Sequence, residues 1–328
     1  MEKKSRKVKC LLCPKECVLS EYERGDCRSR VNIDGELMTL NYGYTVSTNI
    51  DPMEKKPLFH FLPGTRIFSI ATAGCNLHCK FCQNWQISQF TPEEVKYYEM
   101  PPKKVVKQAI TFNCPSIAYT YSEPVTFYEY TLDTSRIAKE KGLKNVLVTA
   151  AYINEEPLRE LCKVTDATNT DLKAMSNDYY KEICDGTLEP VLRSLEIMKS
   201  EGLWVEVTNL ILPTLNDNDE DIKRLCRWVV TNLGADVPIH FSRFYPTYKL
   251  KNLPPTPVST LSRARDIALS EGVMFPYIGN IPGHPGENTY CPSCGALLIE
   301  RQIYFIRQDN IIGGKCPNCG LEIPGIWE

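Results

Sequence analysis

Apolar positions along the chain change their period repeatedly. Short, densely apolar runs alternate with stretches in which apolar residues recur every three or four positions. The first pattern predicts strands and the second predicts helices with one buried face. Strands are expected at 66–72, 116–121, 144–150, 166–173, 203–212 and 237–245. Helices are expected at 103–111, 124–141, 156–163, 189–201, 220–233 and 259–271. Gly142 and Gly202 supply stop signals, and the Pro101-Pro102 pair supplies a start. Residues 272–279 read as a last extended segment. Six strand–helix repeats predict an α/β fold with a parallel sheet. Too few residues remain before Cys291 for two more repeats, so a partial (β/α)6 barrel over 66–282 fits better than a full eight-fold one.

Ligands of such sheets gather at the carboxyl ends of the strands. Polar residues fall there: Cys75, Glu123, Thr149, Asp171, Lys173, Asn209, His240 and Arg243. Each also has a plainer reading. Glu123 before Pro124 could be an exposed helix start, Asp171 and Lys173 a surface pair, Thr149 strand filler, and His240 a satisfied core histidine. Arg243 and Tyr245 could be substrate contacts or rim.

The flanks follow other patterns. Residues 1–65 form a cysteine-rich leader with short strands that turn at Asp34-Gly35. Residues 51–64 are rich in proline and polar groups and read as a linker. Residues 283–328 carry two Cys-Pro-x-Cys-Gly motifs around a strand-like 297–306. They read as a small metal-clipped module that apolar burial alone would not hold together.

Composition narrows the function classes. The 328 residues are 43% hydrophobic and 24% charged with a net charge of −2, an ordinary globular balance. No global positive field points to nucleic acid or an anionic membrane, and no apolar run is long enough to span a bilayer. The start is basic but leads into cysteines rather than an apolar signal core, so a cytoplasmic location is expected.

Most of the 15 cysteines fall in short-spaced groups, which is ligand spacing rather than a disulfide framework. Cys114, Cys162, Cys184 and Cys226 stand alone. The stretch TAGCNLHCKFCQN, 72–84, spaces Cys75, Cys79 and Cys82 by three residues and then two. Three thiolates can converge on a soft metal centre without closing a tetrahedral site. A cubane iron–sulfur cluster with one open iron meets that description; zinc with a distant fourth ligand is the alternative.

These cysteines, with Phe81 before the third, resemble the signature of the radical S-adenosylmethionine superfamily. The resemblance implies that Cys75, Cys79 and Cys82 hold a [4Fe-4S] cluster whose open iron chelates S-adenosylmethionine. It also implies that the Phe81 backbone helps hold the adenine. The reduced cluster would cleave the sulfonium to a 5'-deoxyadenosyl radical that abstracts hydrogen from a substrate. YTYSEP, 119–124, resembles the family's small-small-Glu segment with Tyr121 and Ser122 in place of glycines. Its Glu123 would accept from the cofactor's amino group. Thr149-Ala150-Ala151 resembles a Thr-Asn-Gly of the glycyl-radical-enzyme activases, and Asp171-Leu172-Lys173 their Asp-x-Lys. Lys173 would then pair with the cofactor carboxylate, and Asp171 would orient it or hold a monovalent cation. His240 is placed like a cofactor-side histidine.

Nearly the whole chain resembles the radical SAM member of the AmmeMemoRadiSam system, a group similar to pyruvate formate-lyase activating enzymes. The matching segments include the N-terminal cysteines, ILPTLND, HFSRFYP and the YIGN…YCPSCG ending. This implies an electron donor such as reduced ferredoxin or flavodoxin, and AMMECR1-like and Memo-like proteins as partners. The substrate is left open, a protein among the candidates.

Cys291, Cys294, Cys316 and Cys319 resemble rubredoxin or zinc-ribbon knuckles, with iron or zinc both open. Cys10, Cys13, Cys17 and Cys27 could hold a second metal or an auxiliary cluster, or be reduced thiols packed in a small leader. Arg28 and Arg30 would make Cys27 reactive if they lay close. The competing function is a noncatalytic metalloprotein, an electron carrier or scaffold. Glu123, Asp171 and Lys173 separate the two readings, since a carrier needs no groups for an amino-acid cofactor.

Overall fold

The computed structural model describes residues 7–328; the basic start at 1–6 lies outside the described residues. Strands β1 (Ser47–Pro52), β2 (Arg66–Ala71), β3 (Ser116–Tyr119), β4 (Lys144–Thr149), β5 (Ala167–Asp171), β6 (Trp204–Ile211), β7 (Ile239–Arg243) and β8 (Pro276–Gly279) form one sheet. Neighbours in the sheet are neighbours in sequence, and β2 to β8 are all parallel. Helices α1 (Pro102–Thr111), α2 (Tyr128–Glu140), α3 (Glu155–Cys162), α4 (Glu189–Ser200), α5 (Asp219–Asn232) and α6 (Val258–Ser270) connect successive parallel strands. The architecture is a partial (β/α)6 barrel. Residues 272–279 supply its seventh parallel strand, completing the last repeat.

Helices form where the apolar period is close to 3.6. On α4, Val191, Ser194, Leu195 and Met198 are buried, and that face packs on α3 and β6. Burying each large aliphatic side chain contributes about 1.5–3 kcal/mol. Asn218 caps α5 by accepting from the Asp221 N–H. The stretch expected as one helix at 124–141 divides into a 3-10 turn, Pro124–Phe127, and α2.

Residues 51–64 are not a linker. β1 pairs antiparallel with β2, Ser47 opposite Ala71 and Pro52 opposite Arg66. Beyond it Met53, Leu58, Phe61 and Leu62 pack against Ile67, Ala118, Val146 and Ala167 from β2 to β5. Proline and charge frequency misled the reading because the apolar residues here plug the barrel without a regular period.

In the tail, Leu297–Gln302 and Phe305–Asp309 form a hairpin, where one strand was expected. The module packs through Leu298, Ile299 and Ile323 onto Phe59, Phe275 and Tyr277. The Leu62 N–H donates to the Ile326 carbonyl and the Ile326 N–H to the His60 carbonyl, each at 2.7 Å. Among the described residues no helix is long and apolar enough to cross a membrane.

Candidate active site

The loop after β2 sets out three thiols. At its start Gly74 has φ +98°, and a Cβ there would lie 2.5 Å from the Cys27 carbonyl oxygen, so only glycine fits. The His78 N–H donates to the Cys184 carbonyl at 2.8 Å and the Lys80 N–H to the Ile183 carbonyl at 2.9 Å, pinning the loop to the segment after β5. The Leu77 N–H is 3.4 Å from Cys75 Sγ, and Ser88 Oγ is 3.2 Å from Cys82 Sγ. Burial pushes the Cys75 and Cys82 thiols up, whereas contact with the Cys184 thiol draws Cys79 down. Three soft sulfurs on one loop, with N–H and O–H groups at two of them, fit an iron–sulfur cluster.

Opposite this loop the strand ends converge. Cys75, Cys79, Cys82, Phe81, Glu123, Thr149, Asp171, Lys173 and His240 all line one cleft of about 410 Å³. Glu123 is buried at the start of the 3-10 turn. Its carboxylate accepts from Thr149 Oγ1 at 2.6 Å, the Ala150 N–H at 2.8 Å and the Val125 N–H at 3.2 Å. Burial nonetheless pushes its pKa above the usual carboxylate range. Thr149 acts on the cleft through Glu123, and its oxygen also accepts from the Ala151 N–H at 2.9 Å. Ala151, where the activases were expected to carry glycine, has φ +54°, and Tyr121, another glycine position of the resemblance, has φ +64°. Non-glycine residues in this region are uncommon and need anchoring. Tyr121 is anchored by a hydrogen bond from its hydroxyl to Asp51.

Lys173 is buried, and its ammonium lies 3.0 Å from the Asp171 carboxylate and 5.6 Å above the Phe81 ring. Burial alone would lower its pKa, but Asp171 and the neighbouring Cys79 and Cys184 sulfurs together hold it well above the usual value. Asn209 Nδ2 donates to the Leu172 carbonyl, and Asn216 Nδ2 to that of Lys173, both at 2.8 Å, fixing the end of β5. His240 is deep in the cleft wall with Nε2 2.7 Å from Glu206 and its ring stacked on Tyr277.

Sequence reasoning missed several groups. Cys184 was classed with the isolated cysteines, and nothing in its spacing marks it. Lys56, from the supposed linker, lines the cleft with Nζ 2.6 Å from Asp51 and 4.4 Å from the centre of the Tyr121 ring. Burial draws its ammonium down to about 8 in spite of Asp51. Glu206 accepts from the Phe59 and His60 N–H groups, Trp204 Nε1 and His240. Burial would raise its pKa, but His240 foremost among these partners holds it low.

The other two cysteine groups lie apart from the cleft. Cys291 and Cys316 form matching knuckles: the Gly295 N–H donates to the Cys291 carbonyl and the Gly320 N–H to that of Cys316, both at 2.9 Å. Positive φ at both glycines, 73° and 75°, lets each loop fold back. Cys291 Sγ is 3.6 Å from Cys319 Sγ and Cys294 Sγ 3.7 Å from Cys316 Sγ. One tetrahedral ion with metal–sulfur bonds near 2.3 Å would set sulfurs about 3.8 Å apart, so this donor set fits a single zinc or iron. Cys10, Cys13, Cys17 and Cys27 surround a second, smaller cavity.

Residues 69–229 match the family model described as the radical SAM superfamily. A protein of Methanocaldococcus jannaschii whose name states no activity is 51% identical over 97% of this chain and 95% of its own. The pyruvate formate-lyase-activating enzyme of Clostridium pasteurianum is 27% identical over 52% of this chain and 71% of its own. Among solved structures, a radical SAM methyltransferase from Sphaerobacter thermophilus shares the fold. It has a TM-score of 0.54 and 16% identity, covering 72% of this chain and 71% of that one. Streptococcus suis SuiB bound to S-adenosylmethionine has a TM-score of 0.50 and 14% identity, covering 70% and 53%.

Proposed function

Because the chain belongs to the radical SAM superfamily, we propose that its cleft binds S-adenosylmethionine beside a [4Fe-4S] cluster held by Cys75, Cys79 and Cys82. Such a cluster, once reduced, would supply the one electron that cleaves the sulfonium carbon–sulfur bond into methionine and a 5'-deoxyadenosyl radical, which would take hydrogen from a substrate. The observation carrying this reading is that Glu123 and Lys173 line the same cleft as the three thiols.

The chain's own residues bind and orient. Lys173 offers a fixed cation to the cofactor carboxylate, a charge-assisted contact. Asp171 holds that ammonium in place, and its half-exposed carboxylate is the candidate for a monovalent cation. Glu123 Oε2 accepts one hydrogen bond within the chain and keeps a lone pair for the cofactor's ammonium. Thr149 positions Glu123. The Phe81 backbone is assigned to the adenine, and His240, held by Glu206, to the cofactor-side wall.

The substrate is proposed to be a protein, in an activation step similar to that of the glycyl-radical activases, with AMMECR1-like and Memo-like proteins as candidate partners. The electron would come from a reduced ferredoxin or flavodoxin. Relatives named pyruvate formate-lyase-activating enzyme support this direction. A noncatalytic electron carrier is less well supported: it would have no use for a buried lysine and a buried glutamate beside its cluster.

The test is anaerobic reconstitution, reduction, and mass spectrometry for 5'-deoxyadenosine, with and without the candidate partners. Formation of that product that depends on Cys79 supports the reading. Reduced, iron-replete protein that neither binds S-adenosylmethionine nor cleaves it ends the reading.

A further inference from the structure

We propose that Cys10, Cys13, Cys17 and Cys27 hold a second iron–sulfur cluster, of the [4Fe-4S] class, against the outer side of the three-cysteine loop. Four thiols from two short loops line a single cavity walled by Leu12, Val125 and Thr126. The Cys10 N–H donates to the Cys17 carbonyl at 2.9 Å, closing the first loop so that its three cysteines face inward together. The Gly25 N–H donates to the Arg30 carbonyl at 2.8 Å and brings Cys27 to the same cavity.

The spread of the sulfurs argues against one ion. Among the described residues, the cysteines whose sulfurs all lie within 4.8 Å of one another are the C-terminal four. The N-terminal four are not so closely set and line a small cavity of about 20 Å³. A mononuclear site needs tetrahedral contact distances, whereas a cubane puts each thiolate on a separate iron and fills the space between them.

The polar groups around this cavity also suit an anionic cluster. Arg30 is only 5% exposed and lines the cavity; Nη2 pairs with Glu129 at 2.7 Å, but its Nε is buried without a partner. An orphaned buried donor is destabilising, a cost that a cluster sulfide or thiolate acceptor would remove. The Asp26 N–H lies 3.5 Å from Cys17 Sγ and Ser29 Oγ 3.4 Å from Cys27 Sγ, the type of contact that tunes sulfur ligands. Reduced thiols packed as hydrophobes would not need a buried cation beside them.

The site's position is equally specific. The Cys27 carbonyl abuts Gly74, the residue before Cys75, and Asn76, the residue after it, lines the N-terminal cavity. The two cysteine groups therefore share one wall of the fold.

The proposal concerns metal content, so its test reads iron and sulfide rather than S-adenosylmethionine cleavage; the expected totals include the three-cysteine cluster of the proposed function as well. Full-length chain reconstituted anaerobically with ferrous iron and sulfide is expected to hold about eight iron and about eight acid-labile sulfide. Any iron at the C-terminal knuckles would add to the first number but not to the second. In a Cys75→Ala/Cys79→Ala/Cys82→Ala variant, about four sulfide per chain should remain and give a paramagnetic signal on reduction. Adding Cys10→Ala and Cys27→Ala should remove it. About four sulfide in the unmodified chain that persist in a Cys10→Ala/Cys27→Ala variant, or zinc bound by the N-terminal four, overturns the proposal.

Discussion

The Tyr277 hydroxyl donates to His60 Nε2 at 2.6 Å, in a chain of bonds that joins the C-terminal module to the barrel. In the neutral ring His60 Nδ1–H donates to the Pro324 carbonyl, 2.7 Å away, and Nε2 accepts. Tyr277 in turn accepts from Thr289 Oγ1 at 2.8 Å, and Thr289 from Arg301 Nη1 at 2.7 Å. Burial favours the neutral imidazole and lowers the His60 pKa to about 4.

Stability should therefore fall on acidification between about pH 6.5 and 4. In that window the unfolded chain binds the His60 proton and the folded one does not. The stabilisation is complete above the upper limit and lost as pH drops toward the lower. The upper bound of this contribution is about 3 kcal/mol. Urea midpoints across the range should show a shallower slope for His60→Gln than for the unmodified chain, although the variant starts less stable.

Gly74→Ala tests the loop. Its Cβ would meet the Cys27 carbonyl, whereas Gly142, also at positive φ, has open space around it. Gly142→Ala should cost about 1 kcal/mol from backbone strain alone. Gly74→Ala should exceed it by about 2 kcal/mol or more and lower the iron content. Equal losses from the two substitutions would show that the close approach is unimportant.

Lys173→Met should weaken S-adenosylmethionine binding by about tenfold or more, the value of one charged hydrogen bond. Asp171 is half-exposed and can be hydrated when its partner is gone, so the circular dichroism spectrum should stay unchanged. Calorimetric titration of reconstituted protein measures the effect; unchanged affinity would remove Lys173 from the cofactor site.

Cys291→Ser should release one metal equivalent and expose residues 283–328 to protease. A lost structural metal removes most of the folding energy of so small a module. Activity loss is expected to follow, because Glu287, Ile303 and Tyr304 of the module line the cleft. Limited proteolysis with metal analysis checks both.

The alternating periods, the strand-end polar residues and the cysteine spacings were legible in the chain because each is a local pattern. Helices and strands repeat at fixed intervals, and neighbouring thiols on a short loop stay close in space whatever surrounds them. Hence the (β/α)6 order, the three-cysteine loop and the paired knuckles could all be read directly. Tertiary structure alone decided the plug at 51–64, whose Met53, Leu58 and Phe61 have no period to recognise. It alone brought Lys56 to Asp51, Cys184 to Cys79, and Glu206 to His240. These pairs are distant or unpatterned in sequence, and only closure of the sheet with burial of their charges and thiols makes them partners.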